Sequence, residues 1–380
     1  MLPQATHSEL RGFLFSYTFS INMASSSSFL ATSFIFFTLL IRFAAAQMVP
    51  AVFVFGDSLV DVGNNNHLPV SIAKANFPHN GVDFPNKKAT GRFSNGKNAA
   101  DFLAEKVGLP TSPPYLSVSS KNTSAFMTGV SFASGGAGIF NGTDQSLGQS
   151  IPLTKQVGYY ESVYGQLVQN LGASAAQNLL SKSLFAIVIG SNDIFGYSNS
   201  TDPKKGSPQE YVDLMTLTLK QLIMRIYGHG GRKFFISGVG PIGCCPSRRH
   251  KDKTGACNED INSIAVLYNQ KLKSMLQELN SELQGVSYSY FDTYTSLGNI
   301  IQSPATYGFV EVKSACCGLG TLKAQVPCLP IATYCSNRRD HVFWDLFHPI
   351  EAAARIIVDT LFDGPSQYTS PMNVRQLLAV

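Results

Sequence analysis

The chain has 380 residues, 44% hydrophobic and only 14% charged. That composition suits a globular protein with one sizeable core and excludes a disordered chain. The formal net charge is +5, but Lys and Arg are scattered. The densest basic run, Arg248-Arg249-His250-Lys251, is followed by Asp252. It reads as a solvated loop, so no nucleic-acid partner is expected.

From Met23 a serine cluster leads into FLATSFIFFTLLI, then Arg42 and Phe43-Ala44-Ala45-Ala46-Gln47. An apolar stretch closed by small residues at Ala44 and Ala46 reads as a signal peptide cut before Gln47. The run is short for a bilayer span, which needs about 20 apolar residues. Residues 1–46 are therefore read as an N-terminal extension and signal peptide, with Met23 as the working start. Residues 47–380 are read as a single domain. No second apolar stretch approaches membrane length, so the mature chain is expected to be soluble and extracytoplasmic, with no integral membrane segment. The sequons at Asn122, Asn141 and Asn199 fit that route as glycosylation sites.

Val49 to Phe55 is a short apolar run ending in Gly56-Asp57-Ser58, as a strand buried on both faces would be. Asn98 to Val107 reads as a helix. Gly129 to Ala133 is a weaker strand. A helix is expected from about Gln156 to Leu180. Leu184 to Ile189 is a strong strand ending in Gly190-Ser191-Asn192-Asp193. Tyr211 to Tyr227 has helical spacing. Lys233 to Ser237 is a strand before Gly238-Val239-Gly240-Pro241. Asn262 to Leu283 is a helix with Ile264, Leu267, Tyr268, Leu272 and Met275 on one side. Val286 to Tyr290 is the next strand, and Pro349 is placed to open a last helix. Strands alternating with helices predict an α/β fold, a three-layer α/β/α sandwich on a central parallel sheet.

The seven cysteines fall in two groups, Cys244, Cys245 and Cys257, then Cys316, Cys317, Cys328 and Cys335. In a secreted chain this reads as disulfides: two within the second group and one from the Cys244/Cys245 pair to Cys257, with one thiol left over. Zinc would want paired C-x-x-C spacing or nearby histidines, and neither is present. No metal is expected.

Four segments carry the chemistry. In FGDSLVDVGNN (55–65), Ser58 follows a buried strand directly. A serine there becomes a nucleophile when a general base is in reach and its own amide helps hold an oxyanion. Its commoner role would be a helix N-cap. Asp57 and Asp61 read as braces of the turn rather than acids. In GVSFASGGAGI (129–139), Gly136 lacks a side chain, so its amide can approach a reacting oxygen closely. No phosphate-binding frame fits that loop. In VIGSNDIF (188–195), the Asn192 amide can donate to an oxyanion, and Asp193 buttresses the turn. In FWDLFHP (343–349), Asp345 and His348 are neighbours if they share one helical turn. The carboxylate would then orient the imidazole toward Ser58. His67, His79, His229, His250 and His341 have no partner at a telling spacing.

Together these segments resemble the GDSL family of SGNH hydrolases, in particular its secreted plant branch. FGDSLVDVGNN, GVSFASGGAGI, GSND and DLFHP look like its ordered blocks, and TGRFSNGK (90–97), GVGPIGCCP (238–246) and ACCG (315–318) agree. The resemblance runs from about Val49 to Leu361. It implies a flavodoxin-like fold, Ser58 as nucleophile, His348 as general base and Asp345 orienting it. The oxyanion would be held by the Ser58 and Gly136 amides and the Asn192 side chain. It favours Cys244 pairing with Cys257, Cys245 being an extra. Ser131 departs from the family, where many relatives have Asn.

The expected activity is that of a secreted serine esterase or lipase acting through an acyl-Ser58 intermediate, in the apoplast or cell wall. It needs no cofactor and takes a small-molecule, lipid or polymer ester. An acyltransferase using the same triad, or a non-catalytic binding protein on the same scaffold, are the alternatives.

Overall fold

The computed structural model describes residues 47–118 and 123–380; the expected leader and the Asn122 sequon lie outside them. Parallel strands β1 (Val52–Gly56), β2 (Leu184–Val188), β3 (Lys233–Ser237) and β4 (Ser287–Phe291) lie side by side in chain order. The expected strand at 129–133 is too irregular to count as one, yet it follows the free edge of β1. Val52 and Val54 N–H donate to Thr128 and Val130 carbonyls, each at 3.1 Å. Phe132 and Ser134 N–H donate back to Val54 and Gly56 carbonyls, at 2.7 and 3.1 Å. The chain therefore leaves β1 for one neighbour and later returns to the other. That makes the carboxyl end of β1 a topological switch point, where sheets of this kind open a crevice.

Side chains alternate across the sheet. Phe53, Phe55, Phe185, Ile187, Phe234 and Ile236 face one core, shared with helices α2 (Leu153–Leu171), α5 (Pro208–Gly228) and α7 (Glu259–Glu282). Val52, Val54, Leu184, Ala186, Phe235 and Phe291 face the other. That core is shared with α1 (Ala99–Lys106), α9 (Glu351–Asp363) and α10 (Val374–Ala379). Helices on both faces make the three-layer α/β/α sandwich.

The other helices are α3 (Ala173–Lys182), α4 (Ser191–Asn199), α6 (Pro246–Arg249) and α8 (Thr293–Gln302). Outside the main sheet β5 (Glu311–Ala315) pairs with β6 (His341–Phe343); β7 (Thr369–Ser370) extends the main sheet, antiparallel to β4.

The structure corrects several local expectations. The helix expected over 156–180 is divided at Gly172, whose φ of 82° a helix cannot continue. Pro349 does not open α9, because Ile350 caps it and Glu351 begins it, and α9 is not the last helix, since α10 follows. Arg248 and Arg249 are not a solvated loop: α6 buries them to 8% and 5% exposure. Arg249 donates through Nε and Nη1 to the Cys244 and Gly255 carbonyls, both at 2.8 Å.

Cys244 is bridged to Cys257, Cys316 to Cys335 and Cys317 to Cys328, while Cys245 is a buried free thiol. Cys316 and Cys317 N–H donate to the Phe343 and Trp344 carbonyls, at 3.0 and 2.7 Å. The paired bridges thus grip the end of β6. Asn141 and Asn199 are exposed. No helix of the described residues is long and apolar enough to cross a membrane.

Candidate active site

The chain is locked as it leaves β1. Gln156, buried on α2, accepts from Gly56 N–H through Oε1 and donates to the Gly56 carbonyl through Nε2, both at 2.8 Å. Asp57 N–H then donates to the Val188 carbonyl at the end of β2, at 3.1 Å. Ser58 follows, partly exposed.

The turn beyond it is built from buried polar side chains bonded to backbone. Asp57 Oδ1 accepts from Leu59 N–H at 3.0 Å. Asp61 Oδ1 accepts from Gly63 and Asn64 N–H at 2.7 and 2.8 Å, and its Oδ2 from Gly135 N–H at 2.9 Å. Asn64 Nδ2 donates to the Ser131 and Ala133 carbonyls, both at 2.8 Å, and Asn65 Nδ2 to Gly135 O at 2.9 Å. The aspartates are braces of the turn. Burial still pushes Asp57 up to about 7, more than the Leu59 amide and His348 lower it. Burial likewise pushes Asp61 up to about 6 against its amide bonds.

The 90–97 segment clasps this turn from outside. Arg92 makes a buried two-pronged pair with Asp101, both contacts at 2.7 Å. Asn98 caps α1 and donates through Nδ2 to the Asp61 carbonyl at 2.8 Å. Phe93 stacks on the His348 ring, centroids 4.9 Å apart.

Asp345 and His348 do not share a helical turn. They occupy a tight reversal after β6, in which Trp344 N–H donates to the His348 carbonyl at 2.8 Å. Asp345 Oδ1 closes it by accepting from Phe347 and His348 N–H, both at 2.9 Å. A self-bonding aspartate does this readily, and Pro349 keeps the exit extended. The same carboxylate takes His348 Nδ1 at 2.8 Å to each oxygen. His348 Nε2 then lies 2.7 Å from Ser58 Oγ, across 290 positions of sequence. Asp345 and His348 are each 8% exposed. Burial raises the Asp345 pKa, but the His348 charge and hydrogen bond and the two amides outweigh it. The carboxyl is left below its ordinary value.

Three donors frame the serine. Among the described residues neither the Ser58 nor the Gly136 amide donates to a protein acceptor. Gly136 has φ 77°, a left-handed turn that favours glycine. Asn192, at the start of α4, spends one amide hydrogen on the Ala137 carbonyl at 2.9 Å, leaving the other. Buried Asp193 accepts from Ile139 and Phe140 N–H at 2.9 and 3.2 Å, and from the Thr143 hydroxyl at 2.6 Å. It thus fastens the Gly-rich loop to α4.

Two spaces meet at the serine. An inner apolar seam of about 120 Å³ runs between the sheet face of Ala186 and Phe235 and helices α1 and α9, past Leu103 and Leu361. An outer cleft of about 370 Å³ is lined by Gly136, Asp144 and Arg248 among others. Ser58, Asn192 and His348 border both. A hydroxyl, an imidazole and a carboxylate joined in this way can pass a proton while amide donors hold a developing oxyanion.

Gln156 and Phe93 escaped the sequence reading. Gln156 left a trace, a polar residue among the apolar helix positions Leu153, Val157 and Tyr160. Phe93 stood within the quoted TGRFSNGK segment, but nothing local pointed to its remote partner, the His348 ring. His341 also has a partner after all, the neighbouring Asp340 at 2.6 Å from Nδ1.

Comparison with known proteins agrees with the geometry. The profile of the GDSL-like lipase/acylhydrolase family matches residues 52–361. GDSL esterase/lipase At5g55050 of Arabidopsis thaliana is 56% identical over 340 residues, 87% of this chain and 90% of that protein. GDSL esterase/lipase At5g37690 of Arabidopsis thaliana is 39% identical over 325 residues, 84% of this chain and 90% of that protein. With its α/β/α sheet and this match along nearly all of the described chain, the protein belongs to the GDSL lipase/acylhydrolase family and is a carboxylic ester hydrolase.

Proposed function

We propose that the protein is a secreted serine esterase that works through an acyl-Ser58 intermediate. The hydrogen-bonded line from Asp345 through His348 to Ser58 Oγ carries this reading. His348 Nε2 takes the hydroxyl proton as Ser58 attacks the ester carbonyl. The tetrahedral oxyanion is held by the Ser58 and Gly136 amides and the free Asn192 amide hydrogen. His348 then protonates the departing alcohol and activates water, which releases the acid and restores the serine. Asp345, kept ionised, steadies the imidazolium at each step. The acyl chain lies in the inner apolar seam and the alcohol in the outer cleft.

Secretion rests on the leader-like N-terminus and on three disulfides, which persist in oxidising surroundings. Exposed Asn141 and Asn199 are the accessible glycan acceptors among the described residues.

A fluorophosphonate probe tests the mechanism. It should label the wild type and spare Ser58→Ala; equal labelling of both would remove Ser58 from the reaction.

A further inference from the structure

Three buried arginines lie near the site, and they differ in what satisfies them. Arg92 is paired with Asp101 through both prongs. Arg249 is held by two backbone carbonyls. Arg248 has neither. Its Nη1 donates to the Asn199 side-chain oxygen at 2.8 Å, and its Nε has no hydrogen-bond partner. Its guanidinium lies over the Phe195 ring at 4.4 Å. The residue is 8% exposed, and the face it keeps open is turned to the outer cleft. Among the described residues Asp144 is the carboxylate that acts on it, and no hydrogen bond joins them.

A buried guanidinium with an unsatisfied N–H is costly, and a structural arginine would be satisfied by a carboxylate as Arg92 is or by carbonyls as Arg249 is. Arg248 instead lines the outer cleft together with Ser58, Asn192 and His348. Its planar fork suits a bidentate oxyanion, and Phe195 beneath it fixes its plane.

We propose that Arg248 recognises an oxyanion, a carboxylate or a phosphate, on the alcohol portion of the ester. This rests on the esterase reading, which puts the alcohol in the outer cleft. Asp144 is the natural competitor. It lines the same cleft, and burial and Asp193 push it up to about 6 although Arg248 lowers it. An arriving anion takes over the guanidinium that Asp144 serves weakly.

Matched esters that differ in charge test the proposal. One pair is para-acetoxybenzoate against para-acetoxybenzamide; the other is monolauroylglycerol phosphate against monolauroylglycerol. The wild type should prefer the anionic member of at least one pair, and which pair responds separates carboxylate from phosphate. Arg248→Gln should lower the anionic-to-neutral ratio of kcat/KM by about tenfold or more. Arg248→Lys should retain part of the preference, and Asp144→Asn should raise it. Added salt should flatten the wild-type preference. Fluorophosphonate labelling confirms that each variant keeps a formed site. No wild-type preference in either pair, or an equal fall for charged and neutral esters in Arg248→Gln, overturns the proposal. Failure of the esterase reading has a different signature, no hydrolysis of the neutral esters by the wild type, and would sink both.

Discussion

The turn that carries Ser58 and the turn that carries His348 are secured in opposite ways. The serine turn is cross-braced by Asp61, Asn64, Gln156 and Asn98, each bonded to backbone from a different part of the chain. The histidine turn concentrates its support in one side chain. Asp345 closes the reversal through two amides and orients the imidazole as well. A distributed scaffold loses a little with each change; a concentrated one loses geometry and electrostatics together.

The sharpest test is Asp345→Asn. It should lower kcat by about 10³–10⁴-fold, as expected when the imidazole loses its ionic partner and tautomer. It should also lower the melting temperature, because the asparagine is a weaker acceptor for the Phe347 and His348 amides. A loss of only a few fold would break the comparison. Asn192→Ala removes one oxyanion donor and should cost about 10²–10³ in kcat, with little change in KM. A main effect on KM would mean that Asn192 binds substrate rather than the transition state.

Asp57→Asn probes the serine side. The folded pKa of Asp57 is raised to about 7, burial being the main cause, from the ordinary 3.8. The group therefore favours the folded state fully below pH about 4, and that advantage is lost as pH rises through about 7. At pH 8 ionised, buried Asp57 costs stability on the order of a few kcal/mol. Asparagine keeps the Leu59 bond without the charge. It should raise the melting temperature at pH 8 and leave it nearly unchanged or lower at pH 4; the same shift at both would count against the burial argument. The smallest effect is expected from Ser131→Ala. Its buried Oγ has no partner, while its backbone carries the bonds to Asn64 and Tyr115. Urea unfolding should show a change within about 1 kcal/mol, in the stabilising direction if any.

Much of this was legible in advance, for stated reasons. Buried parallel strands are continuous apolar runs, so β1 to β4 stand out, and polar turns at their carboxyl ends mark the crevice. Ser58 and Asn192 sit on such turns, while Gly136 follows the irregular segment that runs along β1. The pair Asp345 and His348 was legible as a pair but not as a shape. Spacing of three suits a helical turn and an aspartate-closed reversal alike, and only the bonds to Phe347 and His348 amides decide between them. β7, two residues long, is below the reach of any periodicity. Arg248 misled because a basic run among turn residues looks solvated, whereas packing against Phe195 buries it.

The paired bridges at Cys316 and Cys317 tie the shape of one turn to the oxidation state of the chain. They hold, through the Phe343 and Trp344 carbonyls, the strand that delivers the Asp345–His348 reversal. Reduction of these bridges should loosen the Asp345–His348 reversal and leave the bonds that brace the Ser58 turn in place. The two turns should therefore differ in their response to reduction, the histidine reversal loosening first.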